Sequence, residues 1–245
     1  MNALGLDGKV AVLACCGHSW MEDIGSALAE FGAQVILVGE SDAVRKATST
    51  LNTLGRNVAG IPTDFGTIGG VRRMVEQAVG QFGKIDILIN NFNMKFTKPA
   101  LDTTAEEWSD AIHANLSSAF FSCSAVGRHM VERKNGSIVN VISCLAERGL
   151  PNAAAYCAGL GGVLQLTRSL ALEWARRNVR VNAIGVGLMQ TESADENDAV
   201  ARYIPAKRRA RSSDITPLVV FLASDASSYL NGNVYNVDGG LMARG

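Results

Sequence analysis

Short unbroken runs of aliphatic and β-branched residues alternate along this chain with longer stretches whose apolar positions recur every three to four residues. The short runs predict seven buried strands: Lys9–Ala14, Gln34–Val38, Asn57–Ile61, Asp86–Asn90, Ser137–Ser143, Val179–Ile184 and Asn233–Val237. The periodic stretches predict helices over Glu22–Phe31, Asp42–Leu54, Gly70–Phe82, Thr104–Arg133, Asn152–Arg176 and Asp214–Ala223. Gly32, Gly55 and Gly83 stand just past three of these helices, where chain reversal favours glycine. Thr103 or Thr104 with Glu106 or Glu107 forms a capping box that opens the fourth helix. Runs apolar throughout, rather than alternating, belong to strands covered on both faces. Strand and helix alternate to the end, so the expected fold is α/β: a Rossmann-like, doubly wound parallel sheet of about seven strands with helices on both faces. No linker, repeat or low-complexity segment divides the chain, and residues 1–245 read as one domain. The irregular, basic stretch Gly185–Ser213 follows a late strand, the place from which a segment covers the ligand crevice of an open α/β sheet.

Composition narrows the function classes. The 245 residues are 47% hydrophobic and only 19% charged, with no net formal charge, which suits neither nucleic acid nor an anionic membrane. The N-terminus lacks a basic region ahead of an apolar run, and no apolar stretch reaches the ~18 residues of a membrane span, so a cytoplasmic protein is expected. The five cysteines, Cys15, Cys16, Cys123, Cys144 and Cys157, are odd in number and lack paired spacing. They predict neither a disulfide framework nor a metal site. His18 and Cys16 have no second histidine or paired acid nearby, so they make no metal or nucleophile site either.

Several residues then carry a family resemblance. Asn90-Asn91 ends the fourth strand, and Asn115 lies in the following long helix. Ser143 ends the fifth strand, with Tyr156 thirteen residues on. VRVNAI over 179–184 leads to Gly187 and Thr191, and the chain closes on PLVVFLASDASSYLNGNVYNVDGG over 217–240. Over its whole length the chain resembles the short-chain dehydrogenase/reductase family. That resemblance implies a dinucleotide crevice and a catalytic tetrad of asparagine, serine, tyrosine and lysine.

Set against that pattern, the chain departs at four places around one site. The family's glycine-rich fingerprint falls on residues 14–21, and its three glycines are replaced by Cys15, Ser19 and Met21. Those glycines serve the tight turn, the approach of backbone to pyrophosphate and the packing of helix on strand. Met21 is expected to push the helix away or fill the phosphate space. Gly39 ends the second strand where the family often places a ribose-binding acid, with Glu40 one residue later, and Asp64 matches the position used near the adenine. The tetrad keeps Asn115, Ser143 and Tyr156, but the lysine position, one helical turn past the tyrosine, is Leu160. Bringing a tyrosine from near 10 to near 7 takes roughly 4 kcal/mol of preferential phenolate stabilisation, and leucine supplies no charge. Phe92-Asn93 replaces the family's Ala-Gly, placing bulk near the nicotinamide ribose, and Val186-Gly187 replaces Pro-Gly.

These departures lead to the expectation of a degenerate, non-catalytic subunit. It would bind no NAD(P) itself, with NAD entering only through a homologous active partner in a tetramer. It resembles in pattern the non-NAD-binding subunit of a heteromeric hydroxyacyl-CoA dehydrogenase of the benzylsuccinate (toluene) pathway type. The family packs helices 104–133 and 152–176 against a second subunit, and the small residues Ala153–Ala155, Ala158, Gly159, Gly161 and Gly162 read as the means of close approach. Lys207, Arg208, Arg209 and Arg211 are candidates for the phosphates of an acyl-CoA. One alternative is a cofactor-independent lyase, isomerase or dehalogenase using Ser143 and Tyr156, as halohydrin dehalogenases do with arginine at the lysine position. Another is an atypical NAD(P)-dependent oxidoreductase.

Overall fold

The structure is a computed structural model, in which residues 3–15, 20–190 and 199–243 are described. Its strands are β1 (Val10–Cys15), β2 (Gln34–Gly39), β3 (Val58–Pro62), β4 (Ile87–Asn91), β5 (Gly136–Ser143), β6 (Val179–Val186) and β7 (Val234–Val237). All pair in parallel, in the order β3-β2-β1-β4-β5-β6-β7. The helices are α1 (Trp20–Glu30), α2 (Ser41–Thr53), α3 (Ile68–Phe82), α4 (Ala105–Ile112), α5 (Ser118–Arg133), α6 (Ala154–Trp174), α7 (Ala199–Tyr203) and α8 (Ser212–Ala223). The expected doubly wound sheet is therefore the observed fold, in a single domain.

The pleat sends successive side chains to opposite faces and so divides the core in two. Val12, Ile36, Leu88, Ile138 and Val181 point to one side, against Met74, Val126 and Leu160 from α3, α5 and α6. Leu13, Leu37, Ile89, Val141 and Ile184 point to the other, against Ile24, Leu51 and Val219 from α1, α2 and α8. Runs that alternate into two apolar layers read as continuously apolar in sequence, which is why the strands were legible. Among the described residues, no helix is long and apolar enough to cross a membrane.

The expected helix over 104–133 is interrupted. The box of Thr104 and Glu107 opens α4 as expected, each side chain reaching the other's backbone amide. Residues His113–Ser117 then form a π-helical turn before α5 resumes. Asn115 accounts for it. Its side-chain Nδ2 donates to Ala111 O at 2.9 Å, the acceptor that an α-helix would give to the backbone N–H of residue 115.

Two glycines of α6 serve packing within the chain. A Cβ on Gly159 would sit 3.2 Å from Asn115 Cβ, and one on Gly162 would sit 2.7 Å from Leu116 Cδ2. They let α6 close onto the π turn of the same chain.

At the amino ends of β1 and β4 a buried carboxylate holds the sheet. Asp86 accepts from Val10 N at 3.0 Å, from Lys84 at 3.0 Å and from Arg133 at 3.1 Å. Burial alone would raise its pKa, but the Val10 amide and the two cations outweigh burial and hold the carboxyl below its usual range. A depressed folded-state pKa contributes stability above the unfolded value that is lost as pH falls through the folded one. Asp86→Asn should therefore lower the unfolding free energy by about 2 kcal/mol near neutral pH. It should also flatten the loss of stability below about pH 4, both read from urea melts across pH.

Candidate active site

Strand order reverses between β1 and β4. Crossovers from β1 lead outward to β2 and β3, and those from β4 lead the other way, which opens a crevice beyond the carboxyl ends of β1 and β4. Cys15 closes β1 there, opposite Gly39 of β2 and Asn91 of β4. Cys16 and Ser19 lie outside the described residues, as does Thr191. Met21 lies within them and leaves the crevice. It is 2% exposed in the apolar cluster with Leu13, Ile24 and Leu28, so it occupies core rather than the phosphate space expected for it. Phe92 does likewise, buried edge-on against Phe65 with ring centroids 4.8 Å apart.

The two asparagines at the end of β4 have different situations. Asn90, expected among the degenerate cofactor positions, is spent on the core. Its Nδ2 donates to Asn140 Oδ1 at 2.9 Å, and its Oδ1 accepts from Ser122 Oγ at 2.7 Å. Asn140 Nδ2 in turn donates to Thr167 Oγ1 at 2.9 Å, which ties β4, β5, α5 and α6 together. Asn91 is fully buried, and neither atom of its side-chain amide has a hydrogen-bond partner among the described residues. A buried amide with both ends unmet is costly, and this one ends β4 at the switch point, opposite Cys15 of β1. It fits a polar ligand there, a dinucleotide included. Asp64 is exposed and turned to local work, accepting from Gly66 N at 2.8 Å and Thr67 Oγ1 at 3.1 Å ahead of α3. Glu40 is exposed at the start of α2.

The structure brings Ser143 and Tyr156 together. Ser143 ends β5, 8% exposed, with its Oγ accepting from Leu145 N at 3.2 Å. Tyr156, in the first turn of α6, is 3% exposed and donates its hydroxyl proton to Asn93 Oδ1. Burial pushes its phenol up to about 12, with the Ser143 hydroxyl pulling part of the way back. None of the groups acting on it is a cation. Leu160, one turn on, is fully buried in the same apolar cluster. Asn115 holds the β4–α4 connection, accepting from Met94 N at 2.8 Å and donating to Met94 O at 3.0 Å. Asn93 is the residue that sequence reasoning missed. In the sequence its one signal is a side chain where the family has glycine.

Two members of the basic run make local contacts. Arg208 grips Asp214 with both terminal nitrogens, at 2.6 and 2.8 Å, and Lys207 donates to Arg202 O at 2.8 Å. Among the described residues, no group of three His, Cys, Asp or Glu could hold a metal.

Comparison with known proteins places this geometry. The family model described as enoyl-(acyl carrier protein) reductase matches residues 19–242. The chain belongs to the short-chain dehydrogenase/reductase family. It is 35% identical to the 2-dehydro-3-deoxy-D-gluconate 5-dehydrogenase of Escherichia coli K12, over all of this chain and 99% of that one. It is 34% identical to the D-threitol dehydrogenase of Mycolicibacterium smegmatis, over 96% and 93%. A gluconate 5-dehydrogenase from Burkholderia cenocepacia J2315, solved in complex with NADP and tartrate, superposes with a TM-score of 0.93 at 28% identity, covering 100% of this chain and 99% of that one.

These relatives correct the expectation of a degenerate, non-catalytic short-chain dehydrogenase subunit without its own cofactor. Full-length family members this similar are named as dehydrogenases, and one carries NADP. The physical reason lies partly in Met21 and Phe92. Their bulk argued against a dinucleotide only if they faced the crevice, and both are packed into the core.

Asn90→Ala should unfold at lower urea, by about 2–3 kcal/mol, because it strands the Ser122 and Asn140 groups in the core. The same variant should keep any dinucleotide affinity measured below its melting transition.

Proposed function

We propose that this protein is an NAD(P)-dependent oxidoreductase that interconverts a ketone and a secondary alcohol on a short polyhydroxylated substrate. The observation that carries this reading is the pairing of Ser143 and Tyr156 at the carboxyl end of β5, near the switch point where the buried amide of Asn91 is left unmet. Relatives named for a deoxygluconate and for threitol support the substrate class.

Asn91 and the backbone at the ends of β1 and β4 would hold the cofactor, which supplies or accepts the hydride at the substrate carbon. Ser143 hydrogen-bonds the substrate oxygen, and Tyr156 gives that oxygen its proton. A phenol held near 12 is fully protonated at physiological pH, so it is ready as an acid. As a base it is scarce, which disposes the site toward ketone reduction in the neutral range. Asn115 positions the connection carrying Asn93 rather than touching the substrate.

Copies of the chain would associate through α4, α5 and α6, where Trp108, Phe120 and Leu172 stay exposed at 44%, 47% and 83%. Apolar side chains presented in this way suit subunit contact.

The test is the loss of nicotinamide absorbance on mixing the purified chain with NADPH or NADH and a panel of hydroxyketones and oxo acids. Turnover is expected. Tyr156→Phe should lower it by about a hundredfold or more, the scale of a lost general acid. Alcohol oxidation should rise roughly tenfold per pH unit through the alkaline range, following the phenolate fraction, while reduction stays flat. Absence of both turnover and dinucleotide binding across the panel would sink the reading.

A further inference from the structure

Tyr156 has one O–H to donate, and in this structure it donates it as a hydrogen bond to the amide oxygen of Asn93. A phenolic O–H makes one donated bond at a time. A substrate carbonyl can therefore reach the Tyr156 proton only by displacing Asn93 Oδ1, which makes that amide oxygen an internal stand-in for the substrate oxygen.

The surroundings of Asn93 decide what happens next. Its backbone is fixed on both sides: Phe92 is wedged against Phe65, and Met94 is clamped through both N and O by Asn115. The side chain makes no other hydrogen bond among the described residues, and it is half-buried at the crevice. Once displaced, its carbonyl oxygen stays beside the reacting centre and lacks a donor. A plain ketone accepts from Tyr156 and leaves that oxygen unmet. A ketone with a hydroxyl on the adjacent carbon accepts from Tyr156 and donates to Asn93, so two hydrogen bonds replace one.

From this exchange we infer that Asn93 is a specificity-determining residue that selects α-hydroxyketones, its side-chain oxygen receiving the hydroxyl next to the carbonyl that is reduced. The inference deepens the oxidoreductase reading and rests on it for its substrate arm. In the resting protein the same contact holds Tyr156 as a neutral donor, since a partner that accepts from the phenol stabilises the protonated form.

Two measurements test this. The first compares kcat/KM for reduction of 3-hydroxy-2-butanone and of 2-butanone, which differ only in the adjacent hydroxyl. The intact chain should favour the hydroxyketone by about tenfold or more, and Asn93→Ala should erase most of that factor, chiefly through KM. Equal use of the two ketones by the intact chain, or a preference unchanged in Asn93→Ala, overturns the inference.

The second needs no cofactor or substrate, so it stands if the oxidoreductase reading fails. The ultraviolet tyrosinate titration of the chain minus that of Tyr156→Phe isolates Tyr156. Asn93→Ala should lower that midpoint by about one pH unit, the scale of one lost acceptor bond. An unmoved or raised midpoint means Asn93 does not hold the phenol, and overturns the inference independently.

Discussion

A parallel sheet buried on both faces can present chemistry only at its edges and ends, and this constraint organises the molecule. Seven strands run the same way, so every βα connection leaves from one end of the sheet. The reversal of order between β1 and β4 parts those connections at a single place. Cys15, Asn91 and Ser143 all close strands at this end. Tyr156 joins them because α6 begins just past β5 and packs down over the same face.

Holding that end in register takes polar bonds within an apolar layer. The chain from Ser122 through Asn90 and Asn140 to Thr167 crosses two strands and two helices, with each of the bonds named between 2.7 and 2.9 Å. Such a network specifies one arrangement because any slip leaves several groups unpaired in a medium that penalises them. Asp86 does similar work at the opposite end with charge. Between them the sheet becomes a rigid frame, and the β4–α4 connection is the element suspended from it. Asn115 spends its side chain on that connection and pays with one turn of regular helix.

The missing cation gives the site its character. A charged lysine at residue 160 would stand in a layer of Val163, Leu164 and Ile142, and Leu160 instead completes that layer. Tyr156 then has burial pushing its pKa up and no positive charge pulling it down. The nearest hydrogen-bonding answer is neutral: an amide from the connection rather than an ammonium from the helix. A neutral partner can be exchanged for substrate at small cost, whereas a buried ion pair resists exchange. The chemistry left to the tyrosine is accordingly that of a proton donor.

By itself the sequence determined the element order, the parallel sheet, the two-sided core and a capped helix start at Thr103 or Thr104, because periodicity and capping are local properties written in consecutive residues. Spacing also put Tyr156 and Leu160 on one helix face, while Asn115 and Ser143 were marked by the family resemblance. Tertiary structure alone decided which way the unusual side chains point. Met21 and Phe92 read as obstructions in one dimension and are core residues in three, since whether a side chain enters a crevice or a core depends on the layers packed around it. The division of labour between Asn90 and Asn91 and the hold of Asn93 on Tyr156 likewise arise from contacts across tens of residues. No local pattern encodes these contacts, because the partners are brought together by the sheet order and not by the chain.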